Sequence, residues 1–138
     1  MKLAFSKGLN YLYIGAGQYR LALSDFFFRK TTLILLGIGL LLNILTWLMV
    51  IILNSSLGNN LAILHYNVIF GVDRIGSAIS LYEFPLLGIA ALIINFLLGA
   101  ALVRKREHIP GYHLLLTGAL GNLILLISVY VVYVINFS

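Results

Sequence analysis

Long apolar runs separated by short polar breaks dominate the chain. Residues 31–53 read TTLILLGIGLLLNILTWLMVIIL and hold no ionisable side chain. Roughly 23 residues make about 34 Å of helix, enough to cross a hydrocarbon core of about 30 Å with some tilt. A second run, 85–103, is about 19 residues long and just sufficient for a span. It has Pro85 in its first turn, where the missing N–H had no intrahelical partner to lose. A third run, 112–136, follows Pro110-Gly111, a pair that reads as a turn. The pattern predicts an all-α integral membrane protein with three transmembrane helices at 31–53, 85–103 and 112–136. Between them lie an ordered outer loop at 54–84 and a cytoplasmic turn at 104–111, with a short outer tail at 137–138.

The first thirty residues follow a different rule. Phe5, Leu9, Leu12, Ala16, Tyr19, Leu23 and Phe27 succeed one another at spacings of three and four, with Ser6, Asn10, Gln18 and Asp25 elsewhere. This is the pattern of an amphipathic helix lying in the membrane interface. Gly15 and Gly17 leave open whether 1–30 is one helix or two. Asn10, Gln18 and Arg20 interrupt the apolar residues, so the segment does not read as a cleavable signal peptide. The block Phe26-Phe27-Phe28-Arg29-Lys30 suits the headgroup level, where aromatic and basic residues gather.

Composition agrees with the pattern. Of 138 residues, 62% are apolar and 9% charged, with no cysteine, whereas a soluble domain carries roughly 25% charged residues. That excludes a freely soluble enzyme, a disulfide scaffold and a cysteine-ligated metal protein. The net charge of +5 acts as an orientation signal. Lys2, Lys7, Arg20, Arg29 and Lys30 precede the first span and Arg104, Lys105 and Arg106 join the second to the third, while the 54–84 loop has only Arg74. The positive-inside rule places the N-terminus in the cytoplasm and the C-terminus outside, with the basic face against anionic headgroups. No basic and aromatic nucleic-acid module is present.

Each span holds one asparagine near its middle, Asn43, Asn95 and Asn122, and each has a small residue one turn earlier, Gly39, Ala91 and Gly118. The second span extends its stripe through Gly88 and Gly99. Residues four apart share a helix face, small residues allow close approach, and an amide facing lipid would leave polar groups unpaired. These stripes are therefore expected to face one another, with the three asparagines at a common depth. No Asp, Glu, Lys or Arg lies inside a span, which argues against a proton-coupled transporter. Trp47, Tyr130 and Tyr133 suit the outer aromatic belt.

The 54–84 loop is longer than a tight connection needs. Asn54-Ser55-Ser56 and Gly58-Asn59-Asn60 read as a turn-rich exit from the membrane. The stretch 61–76 is open to a hairpin, an extended segment or a re-entrant piece. Ile75, Ile79 and Tyr82 are expected to form the apolar face of a short interfacial helix. His65, Tyr66, Asn67, Asp73 and Arg74 are the recognition candidates. His65 and Asp73 have the residue types of an acid–base pair, but with no further histidine or cysteine in the loop they fall short of a metal-ligand set. No catalytic residue, metal or cofactor is assigned.

The string Leu64-His65-Tyr66-Asn67, then Phe70-Gly71-Val72-Asp73 and Ile75-Gly76, resembles a recurring pattern of small bacterial membrane proteins, Leu-His-Tyr-Asn-x-x-Phe-Gly-x-Asp-x-Ile-Gly. The resemblance covers about a tenth of the chain, together with a hydrophobic span on either side. It implies a protein of the bacterial cytoplasmic membrane and supplies no activity.

The reading that follows is a non-catalytic scaffold or accessory subunit of a membrane assembly, as a homo-oligomer or with membrane-protein partners. The alternatives are a subunit of an oligomeric channel or transporter lined by the asparagines, and a small membrane enzyme acting at the outer leaflet through His65 and Asp73.

Overall fold

Three helices long and apolar enough to cross a membrane make up most of the computed structural model, which describes residues 17–58, 61–67, 69 and 71–137. Residues 17–27 form helix α1. It is followed by α2 (Lys30–Leu57), strands β1 (Leu61–Asn67) and β2 (Gly71–Ser77), a 3-10 turn (Ala78–Tyr82), α3 (Glu83–Arg104) and α4 (His108–Phe137). Consecutive long helices reverse direction, so α2 and α4 run the same way with α3 against both. Because β1 and β2 pair as an antiparallel hairpin, the fold is mostly helical rather than all-α. β-Branched and aromatic residues and Gly71 at φ 77 favour strands around a tight turn.

Two apolar clusters lie one at each end of the bundle. At the hairpin end Val50, Leu53, Leu81, Val129 and Val132 pack together, with Leu64, Tyr82 and Phe84 against them. At the other end Phe26, Ala100, Val103 and Leu115 pack with Leu23, Leu35, Phe96 and Tyr112. Most large apolar side chains outside these clusters, such as Ile34, Ile52, Leu86 and Ile124, are exposed, as suits helices whose solvent is lipid.

Several boundaries differ from the expected ones. Helix α2 continues through Asn54-Ser55-Ser56 to Leu57, with the Ser55 hydroxyl satisfied by the Ile52 carbonyl at 2.8 Å. It stops at Gly58, whose φ of 58 and N–H to Asn54 O close the end, a left-handed stop that glycine tolerates. Pro110-Gly111 is not the turn between the last two spans. The chain reverses at residues 105–107 with Arg106 at φ 66, and α4 already starts at His108. Pro110 sits in that helix's first turn, where its missing N–H costs nothing. Gly111 is buried against α3: a Cβ there would lie 3.2 Å from the Gly99 carbonyl. Ile75 belongs to β2 and Ile79 is exposed, so the expected interfacial helix face does not form; the 3-10 turn buries Ala78 and Leu81 instead.

Residues 1–16, with Phe5, Leu9, Leu12 and Ala16 of the expected amphipathic face, lie outside the described residues. Within α1, Tyr19, Ala22 and Leu23 are half-buried and Phe26 is fully buried, while Phe27, expected on that face, is 42% exposed. Phe26 stacks on Phe96 at 5.7 Å and lies 5.9 Å from the Tyr112 ring. The space it fills exists because Gly99 and Gly111 have no side chains. Tyr19 donates its hydroxyl to the Leu97 carbonyl at 2.8 Å. Arg29, just before α2, bonds Asp25 at 2.8 Å, and this contact, aided by Tyr112, raises the guanidinium pKa above its ordinary value.

Candidate functional site

The polar chemistry inside the bundle is concentrated in one buried pair of amides. Asn43 on α2 donates from Nδ2 to Asn122 Oδ1 on α4 at 2.9 Å and to the Pro85 carbonyl at 2.9 Å. Asn122 Nδ2 donates to the carbonyls of Gly88, at 3.2 Å, and Gly118, at 2.9 Å. Gly88 makes the pair sterically possible, because a Cβ at that position would collide with both amides. Thr46, one turn beyond Leu42, is satisfied by that residue's carbonyl at 2.9 Å.

The small residues expected at helix contacts are distributed along this seam. Gly39 faces Leu92 and the Ala119 backbone, Gly118 faces Asn95 and Leu92, and Gly99 faces Phe26. Ala91 is half-buried. Asn95 does not join the other two asparagines. It lies seven residues beyond Gly88, about 10 Å along α3, and places its amide against Gly118 instead. Three asparagines near the middles of three spans therefore do not share one level.

The hairpin gathers the other candidates. Its register pairs Ile63 with Ile75, then His65 with Arg74, then Tyr66 with Val72. Leu64 is thus an extra residue on one strand and Asp73 an extra residue on the other. Such bulges re-aim side chains. Leu64 packs onto the core cluster, and Asp73 comes to His65, with Oδ1 2.6 Å from Nδ1. Both partners are substantially exposed, at 63% and 41%, so the pair contributes at most about 1 kcal/mol to stability. Its chemical effect is to occupy Nδ1 and leave Nε2 for another group. The side chains of Tyr66 and Asn67 lie outside the described residues, and Arg74 is exposed on the β2 side of the hairpin.

One amide that the motif does not include holds the hairpin in place. Asn136, in the last turn of α4, accepts from Ile63 N at 2.9 Å and donates to Ile63 O at 2.9 Å, with a further bond to Val132 O at 2.8 Å. It thereby acts as a one-residue strand partner on the edge of β1. Its visible signal in the sequence is an amide at the very end of an apolar run, where a helix meets its cap.

Beneath the hairpin two grooves run down the bundle, separated by Leu64 and Phe84. One, of about 200 Å³, has Arg74, Ser80 and Glu83 above Leu87. The other, of about 300 Å³, has His65 above Ile127, Val131 and Ile135 of α4. Ser128 also lines it, but its hydroxyl donates to Ile124 O at 2.9 Å. Among the described residues no three His, Cys, Asp or Glu side chains gather as a metal site. No protein-family model, curated protein or solved structure matches the chain.

Proposed function

We propose that this is a membrane protein without chemistry of its own, a scaffold or accessory subunit whose hairpin is the surface offered to a partner. The observation that carries this reading is the way the hairpin is held. Asn136 pins β1 by a double hydrogen bond while Val72 and Ile75 of β2 stay exposed. An element anchored in this way and presenting apolar side chains suits recognition, since anchoring lowers the ordering entropy left to be lost on binding. The buried amides support the same reading, because Asn43 and Asn122 direct their hydrogen bonds at each other and at nearby carbonyls.

The charge asymmetry supports an orientation with the N-terminus and residues 105–107 in the cytoplasm and the hairpin outside. External labelling of an Arg106→Cys protein in intact cells would overturn it, and the absence of native cysteines makes the experiment clean.

Tagged protein purified from native membranes in mild detergent tests the function. The expected result is a companion membrane protein in fixed ratio, lost from a folded Val72→Asp, Ile75→Asp double variant. Recovery of the chain only with itself would remove the accessory-subunit reading, and solute flux into liposomes holding the pure protein would favour a channel.

A further inference from the structure

We propose that the hairpin end of the bundle binds one glycerophospholipid whose headgroup carries a primary ammonium. Its phosphate would rest on Arg74 and its ammonium on Glu83, with its acyl chains to either side of Phe84. This goes beyond membership of an assembly and does not depend on it.

Charge arrangement is the first support. Arg74 and Glu83 face the same cavity, and neither is in an ion pair, the pairs among the described residues being Arg29 with Asp25 and His65 with Asp73. A cation and an anion left apart at the rim of one groove are complementary to a zwitterion. Asp73 is already engaged by His65, so Glu83 is the carboxylate left to take the ammonium. A primary ammonium donates hydrogen bonds to a carboxylate, and charge-assisted bonds of this kind are strong. A quaternary ammonium has no hydrogen to donate.

The second support is the shape beneath the charges. Leu87 floors the groove under Arg74 and Glu83, an apolar surface that a free headgroup would leave uncovered. Across the Phe84 partition the second groove follows α4 from Ile135 to Ile127. Eight residues of helix make about 12 Å, most of one leaflet's share of a hydrocarbon core of about 30 Å. A charged groove over Leu87 and, across the shared Leu64 and Phe84 wall, a longer apolar groove along α4 suit a headgroup seated above the start of one chain with the second chain alongside α4.

Native mass spectrometry of the detergent-purified protein, offered equal amounts of phosphatidylethanolamine, phosphatidylcholine and phosphatidylglycerol of identical chains, tests the proposal. Phosphatidylethanolamine should be retained about tenfold better than phosphatidylcholine, the scale of one charge-assisted hydrogen bond. Arg74→Gln should lower retention of all three, and Glu83→Gln should remove the preference while leaving phosphatidylglycerol unaffected. Filling the second groove with Val131→Trp should weaken all three again. Equal retention of ethanolamine and choline lipids by the wild-type protein would overturn the proposal without recourse to any variant. So would displacement by glycerophosphoethanolamine at the same concentration as by the lipid, which would mark a soluble zwitterion as the ligand. A change of oligomeric size in Arg74→Gln with lipid retention unaltered would assign the surface to a second copy of the chain and overturn it too.

Discussion

Asn43 and Asn122, 79 positions apart in sequence, meet side chain to side chain at 2.9 Å in the buried middle of the bundle. Together they bond three helices, because each also reaches a carbonyl of α3, at Pro85 and Gly88. Intramembrane amide contacts average only about 0.6 kcal/mol each, but four bonds on one pair make it the main polar tie of the fold. Asn122→Leu should destabilise the bundle by about 1–3 kcal/mol by leaving buried partners unpaired. In a double-mutant cycle with Asn43→Leu the combined loss should be smaller than the sum. Unfolding in detergent measures both. Asn95→Leu, outside the pair, should cost less than Asn122→Leu; an equal cost would show that the polar tie is not confined to the pair.

Glycines in these helices fall into two kinds, and their alanine variants should separate. Gly88→Ala drives a methyl into the amide pair and should cost about 2 kcal/mol or more, the scale of overpacking with lost hydrogen bonds. Gly37 and Gly121 have nothing within 4 Å of an added Cβ. Their alanine variants should be neutral or up to about 1 kcal/mol more stable through helix propensity. Thermal unfolding of the three proteins side by side is sufficient, and a Gly88→Ala protein as stable as Gly37→Ala would contradict the steric account.

Phe26 and Gly99 should behave as a coupled pair. Phe26→Ala empties a fully buried site and should cost about 3–5 kcal/mol. Gly99→Ala forces a methyl to 2.8 Å from the Phe26 ring. In a Phe26→Leu background the same alanine should be better tolerated, and chemical unfolding of the single and double variants reads the difference. Additive losses would mean that the ring and the glycine are energetically independent.

Removal of Asn136 should loosen the hairpin and spare the bundle. In Asn136→Ala the Ile63 amide loses its acceptor, so its hydrogen exchange should accelerate by about tenfold, as befits one hydrogen bond of roughly 1–1.5 kcal/mol. The melting of the three helices should hardly move. Unchanged protection at Ile63 would show that strand pairing alone secures the hairpin.

Much of this architecture is legible along the chain. Charge-free runs long enough to cross a bilayer identify the three long helices because a backbone in lipid must satisfy itself locally. Small residues on the asparagine faces of the helices identify Gly39, Gly99 and Gly118, each one turn from an asparagine, and Gly88, two turns from Asn95, all of which meet neighbouring helices, because close approach needs a small residue wherever the partner comes from. Helix ends are less legible. Pro110-Gly111 has the chemistry of a turn and is used as the opening of a helix and a seat against Gly99, and a dipeptide cannot signal which neighbour it will meet.

Residue order along the chain therefore specifies periodicity and solvent: which stretches are helical in lipid, and which faces are small and polar. The partnerships belong to the packed bundle. The relative slide of the helices brings Asn43 to Asn122 and leaves Asn95 about two turns away, and two bulges bring Asp73 to His65. Asn136 finds Ile63 only because α4 ends level with the hairpin. The physical reason is the same in each case. A helix or a span is specified by bonds within a few residues, whereas register between elements is set by the packing of distant side chains, which no local pattern encodes.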